Sequence, residues 1–202
     1  MTTNNESGVW NKSDRMNLTS RSKFLLVVGV FVVPVIAAYL AFFGWRPAGH
    51  TNYGELLKPA PLQHVQGTLQ TGAPFKLDDI QGKWVMVHLG PGQCDAHCIR
   101  QLYLMRQVRL TQGKHQSRIE RLWVVTDSTP PAAALVDEHP GLIIWHPADP
   151  AFIDQFPPGT DRAGHIYLVD PLGNLMLRFP ENPDPKGMMK DLKLLLKASQ
   201  IG

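Results

Sequence analysis

The pattern of hydrophobic and polar positions divides the chain into one long apolar run and a longer region of short apolar segments. The run from Phe24 to Phe43 holds 20 residues and no charged side chain. At about 1.5 Å rise per residue, a helix of this length spans the roughly 30 Å hydrocarbon core of a bilayer. The run is apolar on every face, which favours a membrane span over the core helix of a soluble domain.

A cleaved signal peptide is the other interpretation of this run. Such peptides have an apolar region of about 7–15 residues and a small-residue cleavage site. The run is longer than that, and the segment Ala41–Trp45 makes a poor cleavage site. We therefore expect an uncleaved anchor.

The flanking charges predict the orientation of the span. Four basic residues precede it, against two acidic ones (Lys12, Arg15, Arg21 and Lys23; Glu6 and Asp14). The positive-inside rule then places the N-terminus in the cytoplasm. No Arg- and Ser-rich transit peptide precedes the span, so we expect a bacterial inner membrane. The predicted organisation is a cytoplasmic tail (1–23), a transmembrane helix (24–43), a linker rich in Pro and Gly (44–61) and a periplasmic domain (62–202).

Short apolar strands alternate with helical segments in the predicted domain. Strands are predicted at 84–89, 122–126, 142–145, 165–169 and 175–179, and helices at 95–112, 129–138 and 186–198. The turn signal Asp170–Asn174 joins the last two strands as a hairpin. This order predicts an α/β domain, a thioredoxin-like mixed sheet with flanking helices. We expect Trp84, Trp123 and Trp145 to pack on the sheet faces.

Composition narrows the function classes further. The net charge of +3 is modest and the basic residues are scattered, unlike the basic patch of a nucleic-acid binder. The chain has two cysteines, which excludes a disulfide-rich scaffold and a Cys₄ zinc site.

The two cysteines, Cys94 and Cys98, follow the first predicted strand where the next helix begins. Unpaired N–H groups and the helix dipole favour thiolates there, and the thiolate is the form that attacks disulfides and binds metals. The four-residue spacing allows a disulfide if the Cα atoms stay within about 7 Å. A merely structural disulfide is less favoured, because closing so short a loop stabilises little.

Thiolates select copper(I) or zinc, and an imidazole can complete the ligand set. His165 is our expected third ligand, because in a thioredoxin-like fold the loop entering its strand lies beside the cysteine-bearing helix. His97 is an alternative, and His88 a weaker one. The remaining histidines are expected at the surface or in loops (His50, His64, His115, His139 and His146).

The ordered motifs, together with the anchor, resemble the Sco (SenC/PrrC-like) family of copper-binding proteins of cytochrome c oxidase assembly. The matching segments are the Gly90-x3-Cys94-x3-Cys98 loop, Trp123–Asp127 before a Thr-Pro helix start, and Ile166–Gly173. The resemblance implies that the cysteines and one histidine bind copper, Cu(I) or Cu(II). It also implies delivery of copper to the dinuclear site of oxidase subunit II, or action on other copper or thiol proteins.

The chain departs from the family pattern at two places. Arg162 occupies the family's histidine position, and His165 follows three residues later. Asp95 stands where the family has a proline after the first cysteine. These departures describe a diverged Sco-like protein.

Three other functions remain open at this level. In a thiol–disulfide oxidoreductase, Cys94 would attack and Cys98 would resolve the mixed disulfide. In a non-catalytic oxidase assembly factor, the fold would act through surface contacts, which Arg162 favours. A peroxidase has little support, since the proline-threonine-cysteine loop of such enzymes is absent.

Overall fold

The computed structural model of the protein describes residues 19–44, 52–63, 65–158 and 162–199. The chain divides into two compact units, Met1–Gly49 and His50–Gly202.

The described part of the first unit is one helix, α1, which runs from Ser20 to Gly44 and includes Pro34. It contains the predicted span, and none of its residues is buried. By length and composition, α1 can cross a membrane. Most of the predicted cytoplasmic tail lies outside the described residues.

The second unit is built on one mixed sheet of eight strands. The strands are β1 (Glu55–Pro61), β2 (Gln66–Leu69), β3 (Pro74–Lys76), β4 (Trp84–Gly90), β5 (Ile119–Val125), β6 (Leu142–Pro147), β7 (Ile166–Val169) and β8 (Asn174–Arg178). The helices are α2 (Ala96–Thr111), α3 (Ala133–Glu138) and α4 (Pro185–Ala198). The strand order is β1-β8-β7-β4-β5-β6-β2-β3, and the predicted mixed α/β sheet is confirmed.

Strand directions decide which loops meet. Strand β4 is parallel to β5 and antiparallel to β7. The carboxyl ends of β4 and β5 therefore lie at the same edge of the sheet as the start of β7. Since β8 is antiparallel to β7, its carboxyl end lies there too. This edge, called the site edge below, gathers four loops.

Strand β4 is buried along its whole length, because a packed layer covers each face of the sheet. One core cluster includes Trp84 and Trp123 and packs against α2 and α4; the other includes Trp145 and Tyr167. All three tryptophans expected on the sheet faces are at most 5% exposed, so that prediction is confirmed.

Three strands that the sequence did not predict and one shifted helix start distinguish the structure from the expectation. The structure places β1 inside the stretch predicted as a linker, where two prolines and mostly exposed side chains suit an edge strand. Strands β2 and β3 have only four and three residues, too few for a hydrophobic period to stand out. Helix α3 begins at Ala133 rather than near Thr129, because Pro130 and Pro131 disfavour helical backbone at the residues before them.

Helix α4 presents an unexpected charged residue to the core. Asp191 is fully buried, and its carboxylate accepts hydrogen bonds from the backbone N–H groups of Tyr53 (2.9 Å) and Gly54 (2.8 Å). The apolar pattern of α4 predicted only Met189, Leu192, Leu195 and Leu196 on the inner face. Through these two hydrogen bonds, the Asp191 carboxylate fixes the backbone that leads into β1.

Candidate thiol and metal site

The cysteine pair lies at the site edge, between the end of β4 and the start of α2. Cys94 and Cys98 form a disulfide, with their Cα atoms 5.3 Å apart. Cys98 is buried, with 5% of its surface exposed, whereas Cys94 is partly exposed. The predicted proximity is confirmed, and Cys94 is the member that a partner can reach.

Asp95, between the two cysteines, caps helix α2. Its backbone is extended, and its side chain accepts a hydrogen bond from the backbone N–H of Cys98 at 2.9 Å. This bond satisfies one of the N–H groups that the first turn of a helix leaves without an internal partner. The cap therefore fixes where α2 begins and so the spacing of the two sulfurs.

The loop before Cys94 is held from the end of β5. The carboxylate of Asp127 accepts hydrogen bonds from the N–H of Gly92 at 2.8 Å and from the N–H of Thr129 at 3.3 Å. The Gly92 N–H is the main reason that the pKa of Asp127 lies below its usual value. A Cβ at Gly92 would overlap the carbonyl oxygen of Thr129, so only glycine fits this close approach.

His165 lies at the start of β7, on the site edge. Its Nδ1 contacts the carbonyl oxygen of Phe179 at 2.7 Å. Because a carbonyl oxygen only accepts, Nδ1 carries the proton, and in the neutral ring Nε2 keeps a lone pair. Imidazoles that bind metals are held in this way through the opposite nitrogen.

The other two candidate histidines differ in their surroundings. Nε2 of His97 lies 3.2 Å from the carbonyl oxygen of Glu181 and 3.2 Å from the amide nitrogen of Gln101, so it faces one acceptor and one donor. His88 lies within β4 and is 1% exposed. Its ring is therefore inside the domain.

These side chains share an edge of the sheet but do not form a ready metal site. Among the described residues, no group of three or more His, Cys, Asp or Glu side chains could hold a metal ion. The cysteines are oxidised, and metals bind the thiolate form. Of the predicted ligands, the structure joins Cys94 to Cys98 in a disulfide, and among the described residues His165 does not complete a three-ligand group with them.

Gln101 is a residue of this region that the sequence did not single out. It is 1% exposed, and its Nε2 donates to the carbonyl oxygens of Gly164 at 3.0 Å and Glu181 at 2.7 Å. It thereby joins α2 to the segment before His165 and to the segment after β8. The sequence signal that could have identified Gln101 is its position, since it is a polar residue one turn after Cys98 on the buried face of α2.

Arg162 occupies a 3-10 turn, Arg162–Gly164, that leads into β7. Its guanidinium forms an ion pair with Asp154 at 2.9 Å and donates from Nε to the carbonyl oxygen of Pro157 at 3.4 Å. The arginine is thus engaged by the loop that precedes it.

The remaining histidines were expected at the surface or in loops. His115 and His146 are partly exposed. His139 lies in the turn between α3 and β6, as expected for a loop residue, but it is buried there, with 4% of its surface exposed. His50 and His64 lie outside the described residues.

The fold and the site define a class: a thioredoxin-like domain with a cysteine pair that can form a disulfide at the start of its first core helix. The chain belongs to the family described as transmembrane-like, thioredoxin-like, C-terminal domain, whose model matches residues 84–199. No curated protein matches the chain significantly.

Solved structures that resemble the chain include Sco proteins and a thiol-disulfide oxidoreductase. Bradyrhizobium japonicum ScoI with copper bound is 22% identical, with a TM-score of 0.53, over 67% of this chain and 99% of that one. Yeast Sco1 with copper bound is 18% identical, with a TM-score of 0.60, over 71% and 96%. The thioredoxin domain of a thiol-disulfide oxidoreductase from Bacteroides vulgatus is 17% identical, with a TM-score of 0.54, over 70% and 99%. At these identities the likeness establishes the fold.

Proposed function

We propose that this protein is a membrane-anchored, Sco-like copper chaperone that assists the assembly of cytochrome c oxidase. The observation that carries the proposal is the Cys94–Cys98 disulfide at the start of α2. Its reduction by an external dithiol, with two electrons and two protons, yields two neighbouring thiols. As thiolates, these are the soft ligands that favour Cu(I).

His165 supports a copper-loaded state of the reduced protein. Its Nδ1–H is held by Phe179, which leaves Nε2 for a metal. Copper is the cargo in this proposal, and we propose Cys94, Cys98 and His165 as its ligands. Two of the similar structures are Sco proteins with copper bound.

The proposed setting follows from the apolar helix. With α1 as the anchor and basic residues before it, the domain would lie on the periplasmic side of a bacterial inner membrane. The proposed recipient of the copper is subunit II of the oxidase, or another copper or thiol protein of that compartment.

A Cu(I) titration of the full-length, fully reduced protein in detergent tests the proposal. Against a competing chelator we expect one bound Cu(I) per chain, lost on replacing both cysteines by serine. His165→Ala is expected to weaken binding about tenfold or more. The matched control is His115→Ala, a partly exposed histidine on a different loop, which is expected to bind like the wild type. Failure of the reduced wild type to bind Cu(I) would overturn the copper proposal.

A second function, thiol–disulfide exchange, is favoured by the disulfide itself, in which Cys94 is partly exposed and Cys98 is buried. The Cys94 thiolate would attack a partner's disulfide and release one partner thiolate. The Cys98 thiolate would then attack the Cys94 sulfur, re-form the internal disulfide and release the second partner thiolate. Two electrons thus pass from the pair to the partner.

Trapping distinguishes the two functions. Cys98→Ala cannot resolve a mixed disulfide, so an oxidoreductase variant would accumulate a covalent partner in membranes, whereas Cys94→Ala would not. A trapped partner without Cu(I) binding by the wild type favours exchange. Cu(I) binding without a trapped partner favours the chaperone.

A further inference from the structure

Three arginines and a histidine lie close together in the second unit, at the C-terminal half of α2. The cysteine pair is at the opposite end of this helix. Arg121 lies on β5 and is 2% exposed, and His139 follows α3 and is 4% exposed. Arg106 and Arg109 lie on α2 and are partly exposed. We call these four residues the arginine cluster.

Backbone carbonyls hold each guanidinium in place. Arg106 donates to Glu138 at 2.9 Å, Arg109 to Ile119 at 2.7 Å and Arg121 to Pro140 at 2.6 Å. The three side chains therefore converge between α2, β5 and the turn that joins α3 to β6.

Two buried donors of Arg121 and a buried ring nitrogen of His139 lack a hydrogen-bond partner in the arginine cluster. Within the described residues, Nε and Nη1 of Arg121 and Nδ1 of His139 are buried without a hydrogen bond. A guanidinium has five N–H donors and no acceptor. Leaving buried donors of a charged group unsatisfied is costly, so an acceptor oxygen that reached these donors would stabilise the folded protein.

Among the described residues, the arginines of the cluster have no ion-pair partner, although the carboxylates of Glu120 and Glu138 act on Arg121 and His139 from nearby. No ion pair joins any of its three arginines to a carboxylate in the part of the chain that the structure describes. The neighbouring carboxylate of Glu120 is paired with Lys83. Burial, together with Arg109 and Arg106, lowers the pKa of Arg121 to about 10, as expected where cations repel one another in a desolvated place.

We propose that the arginine cluster binds a small phosphate-type oxyanion. Such an anion supplies several acceptor oxygens to guanidinium N–H groups and neutralises their charge. The buried donors of Arg121 favour a small ligand, with Arg106 and Arg109 at the rim. Bound there, the anion would link α2, which carries the cysteine pair at its other end, to β5 and the α3–β6 turn.

Thermal unfolding of the full-length protein in detergent tests the proposal, with inorganic phosphate as the probe and chloride at equal ionic strength as the reference. We expect a saturable rise in Tm of several degrees, since a ligand that binds only the folded state stabilises it. Arg109→Gln is expected to lose most of this rise. Arg178→Gln is the matched control, because it removes the same charge from an arginine paired with Glu55 on the edge strands; it is expected to keep the rise.

Each result decides for or against the site. An equal rise in wild type and Arg109→Gln, or no rise in the wild type, would overturn the proposal. Acetate giving the same rise at the same concentration would overturn the preference for phosphate and assign a carboxylate site instead.

A second variant tests whether the buried charge lacks an internal counter-ion. Replacing Arg121 by Met keeps the volume but removes the charge, so we expect an unchanged or higher Tm in phosphate-free buffer and no response to phosphate. A large fall in Tm without phosphate would show that the protein itself satisfies Arg121, and would contradict the site. Arg106→Gln and Arg109→Gln, at the rim, keep the test open if Arg121→Met does not fold.

Discussion

At the residue scale, Asp95 has two consequences for the cysteine pair. As the N-cap of α2 it satisfies the Cys98 N–H, which stabilises the helix. Because this N–H already donates to Asp95, it is not available to a thiolate at the start of the helix. A thiolate at a helix start is stabilised by such donors, so Asp95 favours the disulfide over the dithiol.

Replacing Asp95 by Ala is therefore expected to change stability and redox balance together. Loss of an N-cap costs about 0.5–2 kcal/mol, measured by denaturant unfolding of the oxidised protein. At a given glutathione ratio the variant should also hold less disulfide than the wild type. Asp184→Ala is the control: Asp184 caps α4 in the same way, through Gly187. It should cost similar stability and leave the disulfide fraction unchanged; an equal redox effect would contradict the role given to Asp95.

Asp127 acts on the same loop from β5, and its effect depends on pH. The pKa of Asp127 is depressed in the folded protein, chiefly by the Gly92 N–H. A group of this kind stabilises the folded state above its unfolded pKa of about 3.9. The contribution is lost as the pH falls through the lower, folded value.

We therefore expect Asp127→Asn to lower the unfolding free energy at neutral pH and to flatten its decline in acid. Denaturant unfolding between pH 7 and pH 3 measures both effects. Asp137→Asn, at an exposed position in α3, serves as the control and should follow the wild-type profile. An unchanged acid profile in Asp127→Asn would contradict the role of the Gly92 hydrogen bond.

At the element scale, the buried Asp191 connects α4 to the edge strand β1. Its carboxylate receives the two N–H groups that lead into β1, and β1 pairs only with β8 in the sheet order. An edge strand of this kind depends on such side-chain anchors. The connection explains how a segment with two prolines stays in the sheet.

Asp191→Ala is expected to destabilise the protein by about 1–3 kcal/mol, because it leaves backbone donors without an acceptor. Amide hydrogen exchange should show the loss of protection concentrated in β1 and β8. Asp191→Asn keeps an acceptor oxygen and should have a smaller effect. Uniform loss of protection across β4 and β5 would argue against a local role.

The same scale shows what the elements contribute to the site. The cysteine pair lies at the start of helix α2, and β7 begins directly after His165. Gln101 of α2 donates hydrogen bonds to Gly164, before β7, and to Glu181, after β8. The Asp127 loop supports the turn before Cys94. These residues come from distant parts of the chain and meet because β4, β5 and β7 place their ends at one edge.

At the scale of the whole molecule, the proposed orientation has a direct test. If the cysteine domain is periplasmic, a membrane-impermeant maleimide added to reduced spheroplasts should label Cys94, the partly exposed cysteine. Replacing both cysteines by serine should abolish labelling. Labelling that requires lysis of the membrane would place the domain in the cytoplasm and contradict the positive-inside assignment.

The sequence by itself determined the features that have a short-range signal. The 20-residue apolar run predicted α1, and the alternation of apolar strands and helices predicted the thioredoxin-like sheet. The four-residue spacing at a strand–helix junction allowed a disulfide between Cys94 and Cys98, which the structure forms. Hydrophobic period, turn residues and local spacing are properties of neighbouring residues, so one chain suffices to read them.

Only the tertiary structure decided the features that depend on distant contacts. Examples are the burial of Asp191 and His139, the strand β1 within the expected linker, and the hydrogen bond from Gln101 to Gly164. Each depends on contacts between residues that are far apart in sequence. The hydrogen bond from His165 to Phe179 is of the same kind. A polar residue in a helix or loop carries no sign of its environment until the strand order fixes its neighbours, which is why these features could not be predicted.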